Sequence, residues 1–201
     1  MTTLAATRVP GSIHLALAAW LAVAALLAFA GVAPRVGVPL APLGIVGGVG
    51  LGLLAHRVAP AARAWARSVD LRWVVMYQSL RAPIGASFLW LHAQGRLPVE
   101  FATVAGWGDI AAGLWALAAA ACLPANTPGR RRVVWLWNAA GLLDILLVVG
   151  TAQRLIFVLG RRDMFQAFVA TPALVLLPLF VVPTVILAHL LVFARLRDGG
   201  R

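Results

Sequence analysis

Six apolar stretches, each long enough to cross a bilayer as a helix, follow one another with only short polar connections between them. They cover residues 12–33, 36–58, 73–93, 99–123, 133–152 and 173–196. A helix that spans the hydrocarbon core needs roughly 20 predominantly apolar residues, and in lipid each backbone N–H and C=O has to be satisfied within its own segment. The expected fold is therefore all-α: a polytopic transmembrane helical bundle of about six spans, one domain over residues 1–201, with the lipid bilayer as its surroundings. Composition closes off the soluble alternative. With 62% hydrophobic residues, 11% charged residues and a mean hydropathy of +0.93, the chain has too little polar material to coat a globule of 201 residues.

The formal net charge of +11 would suggest nucleic acid in a soluble protein. Here the basic residues punctuate apolar segments instead of forming a stripe with interleaved aromatics, so no nucleic-acid partner is expected. All 17 are arginine and none is lysine, which with the Ala, Gly and Leu bias points to a GC-rich bacterial genome. Loops retained in the cytoplasm carry the excess of positive residues. Six spans would place eleven arginines on one side: Arg8, Arg57, Arg63, Arg67, Arg72, Arg130, Arg131, Arg132, Arg195, Arg197 and Arg201. Five would lie on the other: Arg35, Arg96, Arg154, Arg161 and Arg162. The expectation is a multi-pass protein of the bacterial cytoplasmic (inner) membrane with both termini in the cytoplasm. A single cysteine, Cys122, excludes an intramolecular disulfide.

The first stretch has a competing reading as a signal peptide, with Arg8 as its basic start and Ala28-Phe29-Ala30 as a small-x-small cleavage site. Its apolar run exceeds the usual length of about 7 to 15 residues, which favours a retained helix. In the second, Gly44, Gly48 and Gly52 recur at four-residue intervals and make one smooth face for close helix packing. Residues 57–72 and 153–171 mix arginine with aromatics and are expected to lie along the headgroups. Residues 94–98 and 124–132 read as polar turns.

Arg81, Asp109 and Asp144 interrupt this pattern, because each falls inside an apolar span. An ionisable side chain at mid-bilayer costs on the order of 2.5 to 3.5 kcal/mol, so it normally faces the bundle interior and has a partner. At about 1.5 Å of rise per residue, Arg81 lies roughly 13 Å, Asp144 roughly 16 Å and Asp109 roughly 21 Å above the cytoplasmic ends of their helices, within reach of an arginine side chain. Gln78, Arg81, Gly85, Phe88 and His92 share one face of the third span; Gly106, Asp109 and Gly113 share one of the fourth; Asn138, Gly141 and Asp144 share one of the fifth. The expected site has Arg81 bridging Asp109 and Asp144, with Gln78, Asn138 and His189 lining its cytoplasmic half. One arginine against two aspartates leaves one positive charge missing, which a bound cation, a substrate amine or a proton would supply. The competing structural reading is an ion-pair network that locks three helices together. Pro83, Pro178 and Pro183 free backbone carbonyls near this level, as in broken helices that line transport sites, although no inverted internal repeat is visible.

These features favour a small-molecule or ion carrier or binding protein. A membrane enzyme or haem-associated subunit, and a structural or assembly subunit of a membrane complex, are the alternatives. For an intramembrane serine protease, Ser87 sits toward the outer end and His189 toward the inner, too far apart for a nucleophile and base. His14, His56 and His189 share the cytoplasmic half, the minimum for axial haem ligation. The residues specify no cofactor and no oligomeric state. The run Gly95-Arg96-Leu97-Pro98-Val99-Glu100-Phe101-Ala102, then Ala105-Gly106-Trp107-Gly108-Asp109, with Arg81 and Gly85 before it and Trp137-Asn138 and Gly141 to Asp144 after, resembles an uncharacterised family of small bacterial polytopic inner-membrane proteins. The resemblance covers roughly residues 73–196. It implies an inner-membrane location and no particular activity.

Overall fold

The computed structural model describes residues 11–198, so Arg8, Arg201 and the basic start of the possible signal peptide lie outside the described residues. Among the described residues every regular element is helical. The chain runs through α1 (Gly11–Phe29), α2 (Val32–Val36), α3 (Leu40–Val58), α4 (Pro60–Ser68), α5 (Leu71–Tyr77) and α6 (Arg81–Ala93). It continues through α7 (Val99–Ala121), α8 (Pro128–Gln153), α9 (Arg162–Val169), α10 (Pro172–Leu176) and α11 (Val182–Arg197). A 3₁₀ turn, Gln78–Leu80, joins α5 to α6, and π-helical turns at Arg154–Val158 and Leu177–Val181 extend α8 and join α10 to α11.

Five of these runs are long and apolar enough to cross a membrane: Gly11–Phe29, Leu40–Val58, Val99–Ala121, Pro128–Val158 and Pro172–Arg197. The expected span at 73–93 is interrupted instead, into α5, the 3₁₀ turn and α6. Pro83 accounts for the break, since it offers no N–H to the carbonyl of Ser79 and its ring presses on that carbonyl, which tightens the preceding turn. The helix expected as the fifth span is longer than its expected 133–152. Thr127 caps α8 by accepting a hydrogen bond from Arg130 N at 3.4 Å, and Pro128 occupies the first turn, so Arg130 to Arg132 are helical and not part of a polar turn. Short helices α4 and α9 occupy the two stretches expected along the headgroups, and α2 sits at the junction of the first two expected spans, overlapping the end of one and the first residue of the other.

The best-packed pair is α6 and α7, an antiparallel hairpin turned by Gln94 to Pro98, where Gly95 takes φ 67°. Glycine is what allows the two backbones to meet. A Cβ on Gly85 would lie 2.9 Å from Asp109 Cβ and 3.0 Å from Ile110 N, and one on Gly113 would lie 2.9 Å from Ala82 Cβ. Helix α8 covers the other side of α7, where Trp137 Nε1 donates to Ala112 O at 3.0 Å. Helix α11 packs on both α8 and α3.

The glycine face of α3 is used as expected. A Cβ on Gly48 would stand 2.8 Å from Pro183 Cβ, and one on Gly44 would stand 2.9 Å from a methyl carbon of Leu179. Otherwise α1 and α3 are peripheral, burying little beyond Ala24, Ala28 and Gly48 and exposing Leu15, Leu26, Leu43, Val46 and Leu51. Such faces suit lipid and not water.

Candidate functional site

Arg81 opens α6 directly after the 3₁₀ turn and is 3% exposed. Its guanidinium serves three helices. Nε donates to Asp109 Oδ1 on α7 at 2.6 Å, and Nη2 lies 2.6 Å from the same oxygen. Nη2 also donates to Asp144 Oδ2 on α8, and Nη1 donates to the Gly141 carbonyl at 3.0 Å. The contact expected from the depths of these residues therefore forms. The planar fork of arginine is what makes it possible, because its N–H groups diverge toward three acceptors at once.

The two carboxylates are not equivalent. Asp109 is 4% exposed, whereas the Asp144 side chain is 20% exposed and lies across Gly108, where a Cβ would overlap its carboxylate. Among the described residues, neither Asp109 Oδ2 nor Asp144 Oδ1 takes a hydrogen bond from the protein.

Gln78, Asn138 and His189 form a second, neutral group. Asn138 Nδ2 donates to the His189 carbonyl at 3.0 Å, which leaves Asn138 Oδ1 as acceptor for His189 Nδ1 at 2.8 Å. His189 Nδ1 thus carries the hydrogen and Nε2 the lone pair. That Nε2 is buried without a partner and points toward Gly141, 3.2 Å from where a Cβ of that glycine would be and on the same side as Arg81 Nη1. Gln78 Nε2 donates to Val185 O at 3.2 Å, and its Oε1 is also buried without a partner. No hydrogen bond joins this group to the charged one, so its visible work is to clasp the 3₁₀ turn and α8 to α11.

Other expectations need correction. His92 leaves the polar face: it is exposed, its Nδ1 meets Leu97 O at 2.9 Å, and Leu91 takes the buried register. Pro183 does not free the carbonyl of Leu179 for the site, because Trp20 Nε1 of α1 donates to it at 2.9 Å. Ser87 donates to Ile84 O at 2.6 Å and makes no contact with His189. His14 and His56 are exposed on α1 and α3, while His189 is enclosed.

Sequence reasoning missed a cavity of about 90 Å³ that ends on the charged group. Arg81 and Asp109 form its polar end; Ile84, Phe88, Phe101, Ile145 and Val149 form its walls. Its far end lies among Gly37, Val38, Gln153, Phe165 and Phe168. Both π-helical turns border it, through Ile156 and through Leu177, Pro178 and Val181. Such turns widen a helix locally and are frequent at functional sites. Helix α9, whose Phe165 and Phe168 line the far end, is held from outside: Arg161 pairs with Asp163 at 2.7 Å and Glu100 at 2.9 Å, and Arg96 donates to Thr171 Oγ1 at 2.9 Å. The hydrogen bonds from Arg161 hold the Asp163 carboxyl below the usual aspartate range.

Among known families, one described as a domain of unknown function, DUF8737, matches residues 38–197. No curated protein and no solved structure matches the chain.

Proposed function

Because the chain belongs to the DUF8737 family, whose description assigns no activity, we propose a function from the site: a membrane carrier or binding protein for a cation or a cationic small molecule. In this reading it is a six-span protein of a bacterial cytoplasmic membrane with both termini cytoplasmic. The interrupted run from Leu71 to Ala93, the third of the six, crosses as well, about 34 Å long at 1.5 Å per residue.

The observation that carries the proposal is the guanidinium shared between two carboxylates at the end of an apolar cavity. A lock between helices needs one carboxylate for one arginine. A second one, partly exposed, adds an unbalanced negative charge where charge is costly. A ligand that restores the balance is stabilised by the same low-dielectric surroundings. The interruptions beside it, at Gln78–Leu80 and Leu177–Val181, are breaks of the kind found where helices line transport sites.

The test is thermal unfolding of the protein in lipid nanodiscs across pH and with added monovalent cations, for wild type, Asp109→Asn and Asp144→Asn. A ligand that binds the folded state raises its stability, so wild type should respond to pH or to at least one inorganic or organic cation, and the Asn variants should respond less. Both variants unfolding like wild type under every condition would sink the proposal.

A further inference from the structure

We propose that the cavity is a binding site for a lipophilic amine, a compact apolar body with one protonated nitrogen donating to Asp109 Oδ2. The inference rests on the carrier or binding reading above and names the chemical class of its ligand.

Asp109 is 96% buried against solvent, lines the cavity, and has one oxygen that no described residue supplies with a donor while Oδ1 is held by Arg81. A hydrogen-bond donor is the complement that this end of the cavity lacks. Charge selects what kind. The buried group sums to minus one with both carboxylates ionised, so a monovalent cation neutralises it and an anion worsens it. A neutral acceptor such as a ketone would have to compete for Arg81, whose Nε, Nη1 and Nη2 already donate to Asp109, Gly141 and Asp144.

The walls select the rest of the molecule. Between the charged end and Gln153 at the far end they are apolar, contributed by residues such as Ile84, Phe88, Phe101, Ile145, Val149 and Val181. A hydrated inorganic cation gains nothing from such walls, whereas an alkyl or ring body buries its surface against them. The volume of about 90 Å³ is ample on a scale where one water needs roughly 10–15 Å³. It fits a body of several carbons.

The probe is n-hexylamine, titrated against the full-length protein in nanodiscs with melting temperature as the readout, beside 1-hexanol and potassium chloride at equal concentrations. Hexylamine should raise the melting temperature saturably and the other two should not. Asp109→Asn and the cavity-filling Val149→Phe should each raise the half-saturating concentration by roughly tenfold or more. An equal response to 1-hexanol would show selection for apolar bulk alone, an equal response to potassium would show selection for charge alone, and an unchanged amine response in both variants would place the amine elsewhere. Each overturns the assignment. Should Asp109→Asn fail to fold, Val149→Phe decides. If hexylamine has no effect while Asp109 still governs a response to pH or potassium, the amine class fails and the carrier or binding proposal stands; if neither responds, both fail.

Discussion

Replacing Arg81 with alanine removes four polar contacts at once: two to Asp109 Oδ1, one to Asp144 and one to the Gly141 carbonyl. Breaking a buried ion pair from one side typically costs about 3–5 kcal/mol, because the partner is left as an uncompensated buried charge. Here two carboxylates are abandoned, one almost fully enclosed, and a loss at the upper end of that range is expected. Most of it should come from charge and not from lost packing. The triple variant Arg81→Ala, Asp109→Asn, Asp144→Asn removes the orphaned charges and should therefore regain more than half of the loss. Unfolding free energies from detergent titration of wild type, single and triple variants would measure this. A triple variant as unstable as the single one would refute the reasoning and would mean that Arg81 matters for the space it fills.

Gly85→Ala should destabilise by about 1–3 kcal/mol, since its Cβ would lie 3.0 Å from Ile110 N and force α6 from α7. Gly47→Ala has nothing within 4 Å and should stay within about 0.5 kcal/mol of wild type in the same titration. Trp20→Phe deletes the hydrogen bond to Leu179 O and should cost about 1 kcal/mol without altering any ligand response. At the start of α9, the exposed Asp163 carboxyl is held low by Arg161, so its contribution is present above the ordinary aspartate range and is lost as pH falls through its lowered titration. Amide protection factors in α9, taken relative to the intrinsic exchange rate at each pH, should fall on acidification in that window, and Asp163→Asn should show the lower protection at neutral pH already.

The charged trio could be read from the sequence because each member is an anomaly in its surroundings. A charge among leucines and alanines is visible without a structure, and helical rise then fixes its depth. Gln78, Asn138 and His189 were found by the same signal, but their arrangement was not, because which partner a neutral polar group takes depends on the rotation of its neighbours about their axes. The cavity was invisible for the opposite reason. Ile145, Val149 and Val185 line it, Ile186 fills the core nearby, and Leu143 and Leu146 face outward, yet all are the same kind of residue. In a helix that is apolar all round, periodicity no longer tells one side from another. The turns at Arg154–Val158 and Leu177–Val181 are likewise additions of a single residue to a helical turn, which composition does not register.

In the proposed membrane setting, the guanidinium bridge also sets a problem of timing. Arg81 precedes Asp109 by 28 residues and Asp144 by 63 residues. At a synthesis rate of about 5–20 residues per second, the arginine emerges roughly 1 to 6 seconds before its first counter-ion and about twice as long before its second. The tight α6–α7 hairpin shortens the first wait, because the two helices can leave the insertion machinery together as a neutral pair. Asp144 then arrives as a latecomer to a partnership already formed, and its arrival is the step at which the third helix of the site is admitted.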